Sequence, residues 1–216
     1  MTKIISPSLL SADFGNLEAA CKMINASEAE WLHIDVMDGV FVPNISFGFP
    51  VLEAVNKHCN KPLDVHLMIV HPEKYISRFA KAGADILTFH YETVENPQEV
   101  IDLIKSEGIK VGITINPDVP VSVLEPYVDK VDLVLLMTVF AGYGGQKFIE
   151  ESYARIAELR EMIERKNAYC VIEVDGGVNV HNAQQLFDSG VNVLVAGSAV
   201  FNADNPIETI HNMLKS

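Results

Sequence analysis

Trp31-Leu32-His33-Ile34-Asp35-Val36-Met37-Asp38 and Leu63-Asp64-Val65-His66-Leu67-Met68-Ile69 are the stretches on which the fold turns. Each is a short run rich in Val, Ile and Leu. A period of two puts His33, Asp35 and Met37 on one face, and His66 and Met68 on another. Both read as β-strands. Working outward, similar runs recur at Lys3–Leu10, Ile86–Tyr91, Lys110–Asn116, Leu133–Val139, Cys170–Asp175 and Val193–Ala199. Helix-like segments lie between them, near Asn16–Asn25, Pro50–His58, Pro72–Ala82, Pro97–Glu107, Val121–Val128, Glu150–Arg165, Val180–Ser189 and Pro206–Leu214. Pro72, Pro97 and Pro206 suit a first helical turn, and Gly83, Gly108 and Gly190 follow helix ends. Eight strands alternating with eight helices predict an α/β fold of the (β/α)8 TIM-barrel kind. An open doubly wound sheet is the competitor, but it usually has fewer strands and a glycine-rich first turn. Ser8-Leu9-Leu10-Ser11 contains no glycine. No linker, low-complexity tract or charge block divides the chain, so residues 1–216 read as a single barrel domain.

Composition narrows the function. The chain is 49% hydrophobic and 21% charged, enough apolar surface for a core and too little charge for global disorder. Its formal net charge of −13 leaves no basic face for nucleic acid or an anionic membrane. Cys21, Cys59 and Cys170 are odd in number, far apart and without Cys-x-x-Cys spacing. That pattern fits a reducing compartment and argues against a disulfide framework or a zinc knuckle. The opening residues lack the apolar stretch of a signal peptide, and no run is long enough to span a bilayer. A cytoplasmic protein is the expectation.

In such a barrel, function gathers at the carboxyl ends of the strands. His33 and Asp35 stand there on the second strand, His66 on the third and Asp175 at the tip of the seventh. Two imidazoles and two carboxylates on one rim suit one divalent cation such as Zn²⁺, Fe²⁺ or Mn²⁺. Two glycine-bearing turns look like anion cradles: Ala141-Gly142-Tyr143-Gly144-Gly145-Gln146 after the sixth strand, and Gly197-Ser198-Ala199 after the eighth. The four arginines, Arg78, Arg155, Arg160 and Arg165, all fall in expected helices. An anion at the rim is therefore expected to be gripped by backbone amides, with Lys147 the nearest cation. Met37, Met68 and Met137, each near a strand end, could roof a reacting centre with apolar, polarisable side chains.

Ser6-Pro7-Ser8-Leu9-Leu10-Ser11-Ala12-Asp13-Phe14, His33 through Gly39, Phe41-Val42-Pro43-Asn44 and Leu63 through Met68 resemble the ribulose-phosphate 3-epimerase family. So do Gly142 through Gln146, Glu173-Val174-Asp175-Gly176-Gly177 and Val195 through Phe201, in the family's order along the chain. The resemblance implies a ribulose-phosphate-binding barrel that interconverts D-ribulose 5-phosphate and D-xylulose 5-phosphate at carbon 3. It implies that His33, Asp35, His66 and Asp175 hold one divalent metal, and that Asp35 and Asp175 are the acid/base pair. It also implies that Ser8 and His66 contact substrate and that Met37, Met68 and Met137 form the apolar lid. Gly142, Tyr143, Gly144, Gly145, Gly176, Gly177, Gly197 and Ser198 are implied as the substrate and phosphate cradle. The expected partners are a phosphorylated ketose and further copies of the chain in a homo-oligomer.

The implied chemistry is coherent. A proton α to a carbonyl is too weakly acidic for an unaided carboxylate, and a bound Lewis acid stabilises the cis-enediolate left by its removal. Two carboxylates of unlike protonation can then remove a proton from one face and supply one to the other. A hexulose phosphate such as D-allulose 6-phosphate is the alternative substrate. That branch carries a larger residue within each glycine pair, whereas Gly144-Gly145 and Gly176-Gly177 follow the pentulose pattern. Decarboxylases of similar barrel shape use Asp-x-Lys-x-x-Asp, and Met37 occupies that lysine position. A non-enzymatic metal-binding barrel is disfavoured by the intact histidines and aspartates. The chain departs from the family where Asn-Pro is usual: Phe140-Ala141 replaces a rigid turn and a polar side chain.

Overall fold

The computed structural model describes residues 2–166 and 168–215. β1 (Ile4–Pro7), α1 (Leu17–Ala26), β2 (Leu32–Met37), α2 (Phe49–His58), β3 (Leu63–Met68), α3 (Ile76–Ala82), β4 (Ile86–His90) and α4 (Pro97–Ser106) form the first half. β5 (Lys110–Ile115), β6 (Leu133–Met137), α5 (Ser152–Arg165), β7 (Val171–Asp175), α6 (Ala183–Asp188), β8 (Val193–Ala196), α7 (Ser198–Phe201) and α8 (Pro206–Lys215) complete it. All eight strands are parallel members of one sheet, ordered β1-β8-β7-β6-β5-β4-β3-β2. Between β1 and β2 the sheet is joined by a single Ser8–His33 bridge, so the barrel is nearly closed.

Alternation along each strand makes two cores. Ile34, Val36, Val65, Leu67, Val134, Leu136, Ile172 and Val174 face outward into the layer of helices, in one apolar cluster with α-helical residues such as Ile24, Leu52 and Leu159. The opposite faces fill the barrel. They are unusually polar: Ser6, His33, Asp35, Asp64, His66, Thr88, His90, Thr114 and Glu173 are all buried. Register stacks them in neighbouring pairs, Asp35 beside His66, His33 beside Asp64 and Met137 beside Asp175. Gly112 is where the interior has no room: a Cβ there would lie 2.1 Å from Thr88 Oγ1 and 2.9 Å from Leu133.

Several expected elements differ. The helix expected at Pro72–Ala82 opens as a 3₁₀ turn, Pro72–Lys74, and is α-helical only from Ile76, as α3. The helix expected at Val121–Val128 is only a 3₁₀ turn, Val121–Leu124. Pro126 has no amide to bond the Ser122 carbonyl, and its ring crowds that position in an α-helix. The first strand stops at Pro7, where Ser8 caps a 3₁₀ turn at Leu9–Ser11. The last strand ends at Ala196 rather than Ala199, and Ser198 begins the short helix α7, which the strand reading missed. The sixth helix is shorter than Val180–Ser189, because Asn179 and Asn182 tie residues 179–183 into a turn first. Among the described residues no helix is long and apolar enough to cross a membrane.

Candidate active site

At the carboxyl ends of β2, β3 and β7, ligand atoms of His33, Asp35, His66 and Asp175 all lie within 4.8 Å of one another. His33 donates Nδ1–H to Asp64 Oδ2 at 2.6 Å. In the neutral imidazole that contact keeps the proton on Nδ1 and the lone pair on Nε2, which is buried and without a hydrogen-bond partner, 3.3 Å from Asp35 Oδ1. Asp35 divides its two oxygens. Oδ2 accepts the Ser8 hydroxyl at 2.5 Å, while Oδ1 faces both imidazoles, 3.2 Å from His66 Nδ1. His66 Nδ1 also lies 4.0 Å from Asp175 Oδ2, and its Nε2 is 2.9 Å from His90 Nε2. Asp35 is 4% exposed and Asp175 20%, so Asp175 is the carboxylate that opens more widely to the cavity. An orphaned imidazole nitrogen converging with two carboxylates and a second imidazole is a donor set that fits one divalent cation.

Electrostatics separate the two aspartates. Burial works to raise Asp35, but His33 and His66 outweigh it and hold the carboxylate below its usual range. Asp175 has no such compensation: burial and the neighbouring Asp35 push it up to about 7. Burial would lower His33, yet Asp64 and Asp35 together hold it well above the ordinary histidine value. Glu173, fully buried and beside Asp64, is pushed well above the carboxylate range by that burial.

Above these groups is a cavity of about 750 Å³. Ser8, Met37, Met68, Met137 and Asp175 form its floor and sides, and Tyr143 lies in its wall. Gly142, Gly144, Gly145, Gly176, Gly177, Gly197 and Ser198 complete the expected set lining it. His66 does not reach the cavity wall; it is wholly buried behind Asp35. The loop after β2 and the loop after β6 lean on each other. Asn44 Nδ2 donates to the Gly142 carbonyl at 2.9 Å, and the Tyr143 hydroxyl donates to the Pro43 carbonyl at 2.9 Å. Gln146 Nε2 holds the β6 loop closed on itself through the Phe140 and Tyr143 carbonyls. The exchange at Ala141 has a visible consequence: its amide, which proline would lack, donates to Asn116 Oδ1 at 3.1 Å. Thr138 Oγ1 lies 2.8 Å from the Asp175 carbonyl and 2.6 Å from that of Gly176, and its one hydroxyl proton bonds there, fixing the turn after β7.

The glycines are not equivalent. Gly176 and Gly177 have φ of +117° and +69°, and a Cβ on Gly177 would lie 2.3 Å from the Phe148 backbone nitrogen. Gly145 has φ of +72° in open space, whereas Gly144 has neither a positive φ nor a crowded Cβ. None of the arginines lines the cavity; Arg155, for example, donates to the Met137, Asn116 and Val119 carbonyls. Lys147 is exposed and does line it.

Sequence reading passed over Asp64, Glu173, His90 and Asp38. Asp64 and Glu173 stand two residues before His66 and Asp175, so the same period-two rule that put those two on the rim places them one layer deeper. Asp38 carries no such signal. Its carboxylate accepts the Val40, Phe41 and Val70 amides, tying the loop after β2 to the end of β3.

A nearly closed parallel barrel with a His/Asp constellation and a glycine-lined cavity at its carboxyl rim is the architecture of a barrel enzyme. The chain matches the ribulose-phosphate 3-epimerase family over residues 4–201 and belongs to that family. It is 50% identical to the ribulose-phosphate 3-epimerase of Bacillus subtilis over 198 residues, 91% of each chain. It is 46% identical to the chloroplastic ribulose-5-phosphate-3-epimerase of Arabidopsis thaliana, covering 99% of this chain and 76% of that one. Among solved structures, KGPDC from Streptococcus mutans matches with a TM-score of 0.75 at 15% identity, covering 100% of this chain and 97% of that one, a likeness of fold alone. The protein is an isomerase, an epimerase acting on carbohydrates.

Proposed function

We propose that this chain interconverts D-ribulose 5-phosphate and D-xylulose 5-phosphate by inverting carbon 3, using Asp35 and Asp175 as the acid/base pair. The observation that carries the proposal is geometric: both carboxylates line one cavity and have oxygens within 4.8 Å of the His33 and His66 nitrogens. In the cation-free chain Asp35 is held ionised while Asp175 is pushed up to about 7. Near neutral pH the first is fit to take a proton and the second to give one, and the roles exchange in the reverse direction. Ser8 orients the Asp35 carboxylate and remains in the cavity wall to meet a substrate oxygen. His33 Nε2, Asp35 Oδ1, His66 Nδ1 and Asp175 would hold one Zn²⁺, Fe²⁺ or Mn²⁺. Such a cation supplies Lewis-acid stabilisation of the negative charge that develops on the substrate oxygens. Met37, Met68 and Met137 exclude water from the proton's path. The phosphate is met by backbone amides around Gly142–Gly145, Gly176–Gly177 and Gly197–Ser198 at the mouth, since no arginine lines the cavity.

The relatives named for ribulose phosphate support the pentulose assignment. So does Gly177, where the larger residue of the hexulose pattern would collide with Phe148. A coupled assay on D-ribulose 5-phosphate, with and without chelator, tests the reading. Activity lost on chelation and restored by a divalent cation is expected, and full activity in metal-free protein by elemental analysis would overturn the metal assignment. Competition against D-allulose 6-phosphate should show at least ~10-fold preference for the pentulose in kcat/KM, about 1.4 kcal/mol of transition-state binding. A cytoplasmic, homo-oligomeric enzyme completes the proposal. Its bacterial relatives support the location, and cell fractionation with sedimentation analysis tests both.

A further inference from the structure

Cys21 lies in the middle of α1, and Cys59 is the residue that ends α2. Asn25 is one helical turn beyond Cys21, so the two share a face of α1. From that face Asn25 grips the chain on both sides of Cys59. Its Nδ2 donates to the His58 carbonyl at 2.8 Å, and its Oδ1 accepts the Asn60 amide at 2.8 Å. Lys61 then reaches back to the Ser27 carbonyl at 3.5 Å. Cys59 is thereby pinned against α1 opposite Cys21, both in one buried cluster, with the Cys59 thiol 3.8 Å from the Lys61 carbonyl. Both are buried, Cys21 wholly and Cys59 with 8% of its surface exposed, so Cys59 is the member nearer solvent. The pair sits near the amino end of β3, away from the catalytic rim, and the epimerisation chemistry does not use it.

We propose that Cys21 and Cys59 are a thiol–disulfide modification site, closed by a hydroperoxide into a reversible cross-link between α1 and the end of α2. Cys59 is the attacking thiol. It is the member of the pair that keeps surface toward solvent; the neighbouring thiol lowers its pKa, while the same neighbour and burial raise that of Cys21. The Cys59 thiolate attacks one peroxide oxygen, the O–O bond breaks, and the departing hydroxide takes up a proton to become water. Cys59 is left as a sulfenic acid. The Cys21 sulfur then attacks the Cys59 sulfur; the S–S bond forms, the S–O bond breaks, and the leaving hydroxide takes the Cys21 proton as a second water. Two thiols have lost two electrons and the peroxide has gained them. A dithiol reductant reverses the reaction by exchange.

Oxidation of the full-length native protein with hydrogen peroxide, followed by thiol blocking, denaturation and non-reducing peptide mapping, tests the site. The three free thiols should fall to one, that of Cys170, with a Cys21–Cys59 linked peptide that dithiothreitol releases. In Cys21→Ser the linked peptide should vanish and a dimedone-reactive sulfenic acid should accumulate on Cys59. Cys170→Ser, which leaves the pair intact, should form the linkage as the parent does. Retention of all three thiols, linkage through Cys170 or between chains, or a stable Cys59 sulfenic acid in the parent protein would each overturn the proposal.

Discussion

His33 shows how one side chain acquires a direction. Its imidazole is symmetric enough to present either nitrogen, and the 2.6 Å bond to Asp64 decides the matter by claiming Nδ1. In the neutral ring Nε2 then keeps its lone pair, 3.3 Å from Asp35 Oδ1. Carboxylates behind ligating histidines commonly contribute 10- to 100-fold to metal affinity. Asp64→Asn should therefore weaken divalent-cation binding by roughly tenfold or more, with little change in the affinity of the cation-loaded enzyme for sugar phosphate. Metal titration followed by calorimetry measures it, and unchanged affinity would remove Asp64 from the account. In the proposed mechanism Asp35→Asn keeps the shape but discards a ligand charge and the proton acceptor together. Its kcat/KM should fall at least ~100-fold, and Asp175→Asn comparably, because inversion needs a proton donor and an acceptor at once. A steady-state assay in both directions checks the pair.

At the scale of elements, the strands supply chemistry and the loops supply the cradle, and the glycines divide accordingly. Gly177 is required twice over, by its left-handed φ and by the Phe148 backbone that a Cβ would strike. Gly144 is required by neither. Gly177→Val should raise KM for the phosphosugar steeply or prevent soluble expression, while Gly144→Ala should stay within about threefold of the parent in KM and fold normally. Circular dichroism beside the kinetics separates a lost cradle from a lost fold. The loop after β6 has its own compensation. Phe140-Ala141 gives up the rigidity of Asn-Pro, but the freed Ala141 amide is captured by Asn116, and Gln146 and Asn44 hold the rest.

At the scale of the whole molecule, the barrel interior carries ionisable groups where most barrels carry branched apolar ones. This makes stability depend on pH in a definite direction. Asp175 titrates near 7 in the folded chain and near 3.9 when unfolded, so between about pH 4 and pH 7 the native state holds a proton that the unfolded chain has released. Stability from this group is complete below that window and is lost as the pH rises through it. Glu173 and His33, also raised, act with the same sign; the buried His66 and His90, held below the ordinary histidine value, oppose it up to about pH 6.5, above which only the raised groups act. Chelator-treated protein should accordingly melt at a lower temperature at about pH 7.5 than at about pH 5. A divalent cation, which binds the folded carboxylates alone, should raise the midpoint most at the higher pH. Thermal melts at the two values, with and without Mn²⁺, test this, and a cation effect that shrinks with rising pH would contradict it.

The sequence by itself determined the alternation of strands and helices, because period-two runs and helix punctuation are local properties of the chain. It also determined which strand ends carry imidazole and carboxylate, since alternation alone puts His33 with Asp35 and leaves Asp175 at a tip. The short α7 and the aborted helix at Val121 escaped that reading, each decided by a single glycine or proline against its neighbours. Tertiary structure alone decided the rest. Which nitrogen of His33 is free depends on Asp64, a residue of another strand brought alongside by register. Whether two aspartates differ in proton affinity depends on which of them has two imidazoles for neighbours. Cysteines that look scattered along the chain include a pair facing each other, because α1 packs on α2 and Asn25 fixes the contact. Burial, register and the electrostatic field of neighbours are properties of positions in space, and the chain acquires them only when the barrel closes.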